Sequence, residues 1–156
     1  MFNTDEVLDI AIRLEKNSEA VYREAAASVS NPEIAATLEW MADEEVKHAQ
    51  WFEDLRGNPN IKTEAVPLET LDADFLKTLI GGRSFSLDDV DFADIQQICN
   101  LLDVFVESEK DGIMFYEMLM PFIRGKSTRT MLEHIIHEEK THIKSLKEFI
   151  TPAPAL

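Results

Sequence analysis

The chain has 156 residues, of which 45% are hydrophobic and 29% charged, and its formal net charge at pH 7 is -15. This composition is that of one globular domain rather than of a disordered chain. The excess of acidic side chains argues against binding to nucleic acid or to an anionic membrane surface, because both need clustered Lys and Arg.

Targeting and disulfide signals are also missing from the sequence. The first residues do not combine a basic segment with an apolar run, and no stretch approaches the roughly 18 apolar residues of a membrane span. A single Cys99 excludes a disulfide framework or a Cys-based metal knuckle within one chain. We therefore expect a cytoplasmic protein.

Two helices are predicted in the first part of the chain. The first runs from about Thr4 to Ser30, with apolar side chains spaced by three and four residues. The second begins at Asn31-Pro32, because Asn is a favoured N-cap and Pro is favoured at the first helical position. Gly57 is its predicted stop.

Residues 57–91 are predicted to form a long connection. They contain several Pro and Gly residues and one short predicted helix, at about 71–80. So long a connection inside a compact domain indicates a crossover between two parallel helices.

Two more helices are predicted in the second part. The third runs from about Phe92 to Arg124, and Pro121 should loosen its last turn. The fourth begins near Ser127 and ends before Pro152. The sequence thus predicts an all-α four-helix bundle as a single domain over residues 1–150, followed by a short flexible tail at 151–156.

The second half of the bundle repeats the first with an offset of 94 residues. Most of the identical residues are polar, and packing alone would not keep them polar. They include the pairs Asp9/Asp103, Glu15/Glu109, Lys16/Lys110, Tyr22/Tyr116, Leu38/Leu132, Glu39/Glu133, Glu44/Glu138, Glu45/Glu139 and His48/His142. The two halves are therefore copies of one helical hairpin.

Six repeated residues lie on the apolar stripes of the helices and are predicted to be metal ligands. A buried, unpaired carboxylate costs several kcal/mol, so four in one core require compensation. Two divalent cations would balance the four carboxylates if both imidazoles are neutral. Carboxylate and imidazole ligands suit iron or manganese, and the pattern matches carboxylate di-metal bundles in general. The predicted ligands are Glu15, Glu45, His48, Glu109, Glu139 and His142.

Other polar residues near these positions have predicted roles. Tyr22 and Tyr116 have the same spacing from a predicted ligand in both halves, which favours a hydroxyl that hydrogen-bonds a ligand carboxylate over a redox-active phenol. An ordinary core Tyr is the remaining alternative. Glu44 and Glu138 are either acceptors for the free N–H of a ligand His or members of a solvated face. His134 has no partner in the other half and is interpreted as a surface residue.

Four stretches carry a family resemblance: LEKNSEAVY, DEEVKHA, SEKDGIMFY and HEEKTHI resemble the metal-binding helices of rubrerythrin-type proteins in the ferritin-like superfamily. The resemblance implies a ferritin-like fold and a di-iron centre bridged by Glu45 and Glu139. It also implies terminal carboxylates from Glu15 and Glu109, and a homodimer. The chain lacks the Cys-x-x-Cys rubredoxin domain of rubrerythrins, which implies an external electron donor such as a rubredoxin-like protein.

The resemblance implies an oxidoreductase that reduces hydrogen peroxide at two iron ions (Fe2+/Fe3+). Gly112 and Ile113 stand where rubrerythrins usually have a further Glu, one turn beyond the third-helix ligand. Two alternatives therefore stay open: a ferroxidase or iron-handling protein that uses dioxygen, and a metal-stabilised bundle without turnover. Manganese is an alternative metal.

Overall fold

The computed structural model describes residues 4–56, 58 and 87–151, apart from the side chain of Phe122. These residues form four long α-helices and no strand. The helices are α1 (Thr4–Ser28), α2 (Pro32–Leu55), α3 (Ile95–Leu119) and α4 (Lys126–Ile150), with 3-10 turns at Leu87–Asp89 and Met120–Phe122. The predicted stop at Gly57, the predicted helix at 71–80 and the tail beyond residue 151 lie outside the described residues.

The turn between α1 and α2 is stabilised by the predicted cap. The Asn31 side chain accepts hydrogen bonds from the backbone N–H groups of Glu33, at 2.9 Å, and Ile34, at 3.2 Å. Pro32 occupies the first turn, where its missing N–H costs nothing. Since only three residues separate the two helices, they form an antiparallel hairpin.

The ends of α3 and α4 differ from the prediction in ways that the backbone explains. Asp94 caps α3 by accepting from the N–H of Gln96, so this helix begins later than predicted. Pro121 ends α3 at Leu119 in a 3-10 turn, consistent with the expected loosening. α4 begins at Lys126, one residue before Ser127, near which it was predicted to begin, and it starts from Gly125, whose φ of 97° suits a residue without Cβ.

Contacts between the hairpins fix the direction of each helix. Glu15 and Tyr22 of α1 contact Tyr116 and Glu109 of α3, in reversed order, so these two helices are antiparallel. Because α1 is antiparallel to both α2 and α3, the latter two run in the same direction. The end of α2 and the start of α3 therefore lie at opposite ends of the bundle, as a crossover requires.

The apolar core consists of two clusters, one towards each end of the bundle. The first gathers residues from the start of α1, the end of α2, the end of α3 and the start of α4, among them Leu8, Phe52, Phe115 and Leu132. The second gathers the opposite ends, among them Ala25, Leu38, Leu102 and Leu146. On every helix the predicted ligands lie between these clusters. No helix of the described chain is long and apolar enough to cross a membrane.

Candidate metal centre

All six predicted ligands meet in the middle of the bundle and are removed from solvent. None of their side chains exposes more than 6% of its surface. Each helical hairpin contributes one carboxylate from its first helix and a Glu-x-x-His pair from its second. The members are Glu15, Glu45, His48, Glu109, Glu139 and His142. The sequence pattern that placed these residues on the apolar stripes of the helices therefore describes their true orientation.

Within this cluster, two overlapping groups of donor atoms could each surround one cation. One group contains Glu15 and His48, and the other contains Glu109 and His142. Glu45 and Glu139 belong to both groups, and the donor atoms within each group lie within 4.8 Å of one another. The arrangement can therefore hold two metal ions side by side, with two carboxylates shared between them.

The Nδ1 atom of each imidazole faces the carboxylates. His48 Nδ1 lies 2.9 Å from Glu139 Oε1 and 3.5 Å from Glu15 Oε2. His142 Nδ1 lies 3.0 Å from Glu139 Oε2, 3.1 Å from Glu45 Oε1 and 3.5 Å from Glu109 Oε1. Nδ1 is therefore the nitrogen of each residue that is placed to bind a cation.

Several buried polar atoms in the cluster make no hydrogen bond. They include Glu15 Oε2, Glu45 Oε1 and His48 Nδ1. His48 Nδ1 is close to Glu139, but the direction of approach is wrong for a hydrogen bond. Unsatisfied buried polar groups cost about 1 to 3 kcal/mol each. Atoms of this kind that converge on one point fit a cation, which would bind them all at once.

The burial of four carboxylates shifts their proton affinities in the absence of a cation. Burial, together with the charge of Glu139, raises the pKa of Glu109 to about 8 and raises that of Glu45 well above its usual value. The pKa of Glu139 is lowered: burial opposes its ionisation, but hydrogen bonds with Glu109 and His142 and the nearby His48 imidazole outweigh that effect. Glu139 is thus the most readily ionised of these three groups.

The pKa values of the two imidazoles are also raised. Burial opposes their charged form, but hydrogen bonds with Glu109, Glu139 and Glu45 raise the pKa of His142 to about 12. The pKa of His48 is likewise raised, by Glu139, Glu15 and Glu45. Protons on the two imidazoles thus supply part of the positive charge that the carboxylates require, and a bound cation would displace them.

Both tyrosines contact carboxylates, each across to the other half of the repeat. Tyr22 Oη donates to Glu109 Oε1 at 2.5 Å, and Tyr116 Oη donates to Glu15 Oε1. Burial and the adjacent carboxylate charge raise the pKa of both phenols well above the usual value, so both remain protonated donors. The predicted hydrogen bond between each tyrosine and a carboxylate of the cluster is therefore present.

Only one of the two glutamates predicted to contact an imidazole N–H does so. Glu138 Oε2 lies 2.5 Å from His48 Nε2, whereas the matching Glu44 bonds to Lys47 at 3.0 Å and does not reach His142. His134 is exposed, as expected for a surface residue, but its Nε2 lies 2.9 Å from Glu138 Oε1. Sequence reasoning missed this contact, although the repeat does align His134 with a different residue, Trp40.

Two comparisons agree with this architecture. Residues 6–80 match the family model of rubrerythrin. A crystal structure from Thermotoga maritima, described as that of a ferritin-like diiron-carboxylate protein, superposes with a TM-score of 0.67 and 24% sequence identity, covering 96% of this chain and 95% of that one. No curated protein matches the chain significantly. Residues 6–80 are therefore similar to rubrerythrin and the chain has a ferritin-like fold, which confirms the resemblance and the fold class expected from the sequence.

Proposed function

We propose that the chain is a di-iron redox protein whose six buried side chains hold two iron ions. The observation that carries this proposal is the pair of overlapping donor groups that share Glu45 and Glu139. In this assignment Glu15 and His48 complete one position, and Glu109 and His142 complete the other. The match to rubrerythrin and the ferritin-like fold support iron over other metals.

Charge balance supports occupancy by two divalent cations rather than by one. Four carboxylates carry four negative charges when all are ionised, and two neutral imidazoles add none. Two divalent ions neutralise this set, so the core is no longer left with uncompensated charge. The donor set contains no thiolate, which disfavours a structural zinc site and suits iron or manganese.

We further propose that the reaction is the reduction of hydrogen peroxide. Two ferrous ions supply the two electrons that, with two protons, convert one peroxide molecule into two water molecules. The protein's own contribution is to exclude bulk water, because the cluster lies between two apolar layers of the core. Tyr22 and Tyr116 hold Glu109 and Glu15 in place by hydrogen bonds while the charge at the centre changes.

We propose that the electrons for repeated turnover come from a separate donor. The sequence contains a single Cys99 and therefore no Cys-x-x-Cys pair that could hold a second iron centre. We propose a separate donor, such as a rubredoxin-like protein, that approaches the surface of the bundle. An acidic chain of this net charge suits a donor whose contact surface carries positive charge.

One observation is equally consistent with a second candidate, the oxidation of ferrous iron by dioxygen. Gly112 follows Glu109 by one turn, and a Cβ at this position would meet nothing within 4 Å. The additional carboxylate expected there from the rubrerythrin resemblance is absent, although there is room for a side chain. A centre without this carboxylate suits iron oxidation as well as peroxide reduction.

Anaerobic loading with Fe(II), followed by stopped-flow mixing with peroxide or with dioxygen, tests the proposal. The expected result is two irons per chain and oxidation of both by one equivalent of peroxide, much faster than by dioxygen. Glu45→Ala should show only the slow oxidation of free Fe(II). Faster oxidation by dioxygen would favour the second candidate, and failure to bind iron would contradict both.

A further inference from the structure

We propose that the two metal positions are functionally inequivalent, because a Glu138–His134 relay to the surface supports only the His48 position. The inference rests on the proposed function, because it concerns how the chain sets the affinity for the two metal ions that the proposed function requires. Glu138 and His134 act through His48 and are positioning residues. The His48 position is then the one of higher affinity.

On the His48 side, three polar side chains form a continuous chain from the core to solvent. His48 Nε2 lies 2.5 Å from Glu138 Oε2, and the other oxygen, Oε1, lies 2.9 Å from His134 Nε2. The exposed fractions of the three side chains rise along this path, from 3% for His48 to 27% for Glu138 and 57% for His134. Both oxygens of Glu138 are thus engaged, which fixes the orientation of the carboxylate.

On the His142 side, the equivalent support is absent. His142 Nε2 is buried and makes no hydrogen bond. The Trp40 ring packs against this imidazole, with the ring centres 5.1 Å apart and the planes at 85°. Glu44, the counterpart of Glu138 in the repeat, bonds to Lys47 and forms no hydrogen bond with His142 Nε2.

The difference originates in a single pair of aligned positions. The repeat that matches Glu44 with Glu138 and His48 with His142 also aligns Trp40 with His134. His134 lies one turn before Glu138 and orients it, whereas Trp40 lies one turn before Glu44 and contacts His142 instead. The six proposed ligands are thus the same in the two halves of the repeat, but the residues that support the two imidazoles differ.

A carboxylate that accepts the free N–H of a metal-binding imidazole has two physical effects. It fixes the tautomer, so that the opposite nitrogen presents its lone pair to the metal, and it makes that nitrogen a stronger donor. Loss of such partners typically costs about 10- to 100-fold in metal affinity. His142 has no acceptor at Nε2, so its position lacks this contribution.

The first test compares Glu138→Ala with its repeat counterpart Glu44→Ala in anaerobic Co(II) titrations, followed by visible absorption. The expected result is that Glu138→Ala weakens one of two binding steps by about 10- to 100-fold, while Glu44→Ala leaves both nearly unchanged. Glu138→Gln should restore part of the affinity, because its amide oxygen can still accept the N–H. Equal effects of Glu44→Ala and Glu138→Ala would overturn the proposal.

The second test identifies which position is affected. Stepwise loading alone is not diagnostic, because the shared Glu45 and Glu139 make the second ion harder to bind even in a symmetric site. Glu109→Ala should preserve the His48 position, and Glu15→Ala should preserve the His142 position. When Glu138→Ala is combined with each of these variants, it should weaken Co(II) binding in the Glu109→Ala background. It should leave Co(II) binding unchanged in the Glu15→Ala background.

The outcomes separate this inference from the function on which it rests. Equal losses in the two backgrounds, with two ions still bound by the unmodified chain, would overturn the inequivalence and leave the di-metal site intact. Failure of the unmodified chain to bind Co(II) or Fe(II) would overturn the proposed function itself. Urea unfolding of Glu138→Ala provides the folding control, since Glu138 is partly exposed and its loss should leave the bundle folded.

Discussion

The Tyr22 hydroxyl on α1 donates a hydrogen bond of 2.5 Å to Glu109 Oε1 on α3. The two residues lie 87 positions apart in the sequence. Tyr116 on α3 returns the same contact to Glu15 on α1. Each half of the repeat therefore holds a carboxylate of the other half. These two hydrogen bonds join the hairpins at the cluster of six buried residues. The candidate site is therefore also part of the packing between the hairpins.

Removal of one phenol hydroxyl should weaken one metal position. Tyr22→Phe deletes the donor to Glu109 and preserves the ring. Hydrogen bonds to charged groups contribute about 1.5 to 3 kcal/mol, so the Glu109 position should lose roughly tenfold or more in affinity for Co(II). Tyr116→Phe should act in the same way on the Glu15 position. Unchanged titrations in both variants would show that the hydroxyls do not stabilise the ligands.

Loss of a shared carboxylate should have a larger effect than loss of any other side chain. Glu45→Ala and Glu139→Ala each remove a donor from both positions, so the iron content after anaerobic loading and desalting should fall from two per chain to near zero. His137→Ala changes an exposed imidazole on the same helix as Glu139 and should retain both irons. Full iron content in both Glu variants would contradict the assigned site.

The metal-free protein should lose stability as the pH rises. The pKa of Glu109 is about 8 in the folded chain and 4.5 in its ordinary environment. Between these values the unfolded chain has released a proton that the folded chain still holds, so the free energy of unfolding falls with increasing pH. His142, with a pKa raised from 6.5 to about 12, acts in the same direction above pH 6.5.

Urea unfolding of the chelator-treated protein between about pH 5 and about pH 9 measures this trend. Glu109→Gln should flatten the dependence below pH 8, because the amide does not titrate. Metal affinity should show the opposite trend and increase with pH, since metal binding displaces protons from the imidazoles and carboxylates. A metal-free protein that becomes more stable from pH 6.5 to 8 would contradict the assigned shifts.

The cap between α1 and α2 should contribute measurably to stability. Asn31→Ala removes the side chain that accepts from two backbone N–H groups, which should cost about 1 kcal/mol in the free energy of unfolding. Ser127→Ala is the matched control, because the structure gives Ser127 no capping role at the start of α4. A loss of similar size in both variants would show that the Asn31 cap is not the cause.

The predictions that held from sequence were those that depend on periodicity. Spacing by threes and fours placed Glu15, Glu45, His48, Glu109 and the other two predicted ligands on buried faces, because a helix repeats every 3.6 residues wherever it lies in the fold. The internal repeat then required two such hairpins to face each other. Asn31-Pro32 marked the start of α2 because capping depends on residues close together in sequence.

The exact helix ends were predicted less closely, because they depend on backbone conformation. Ser127 carries a favoured capping side chain, yet α4 begins at Lys126, because Gly125 adopts a positive φ and starts the helix without any side-chain bond. Asp94, by contrast, caps α3 with its side chain, and this helix therefore starts three residues beyond the expected position.

The sequence by itself determined the four-helix architecture and the six side chains that meet in the core, since both follow from local periodicity and the internal repeat. Only the tertiary structure decided that Tyr22 reaches Glu109, that Glu138 reaches His48, and that Glu44 does not reach His142. These contacts join different helices, so they depend on how far each helix is rotated and shifted against its neighbours. A sequence pattern shows which face of a helix is buried, but it does not show how that helix is rotated against another helix.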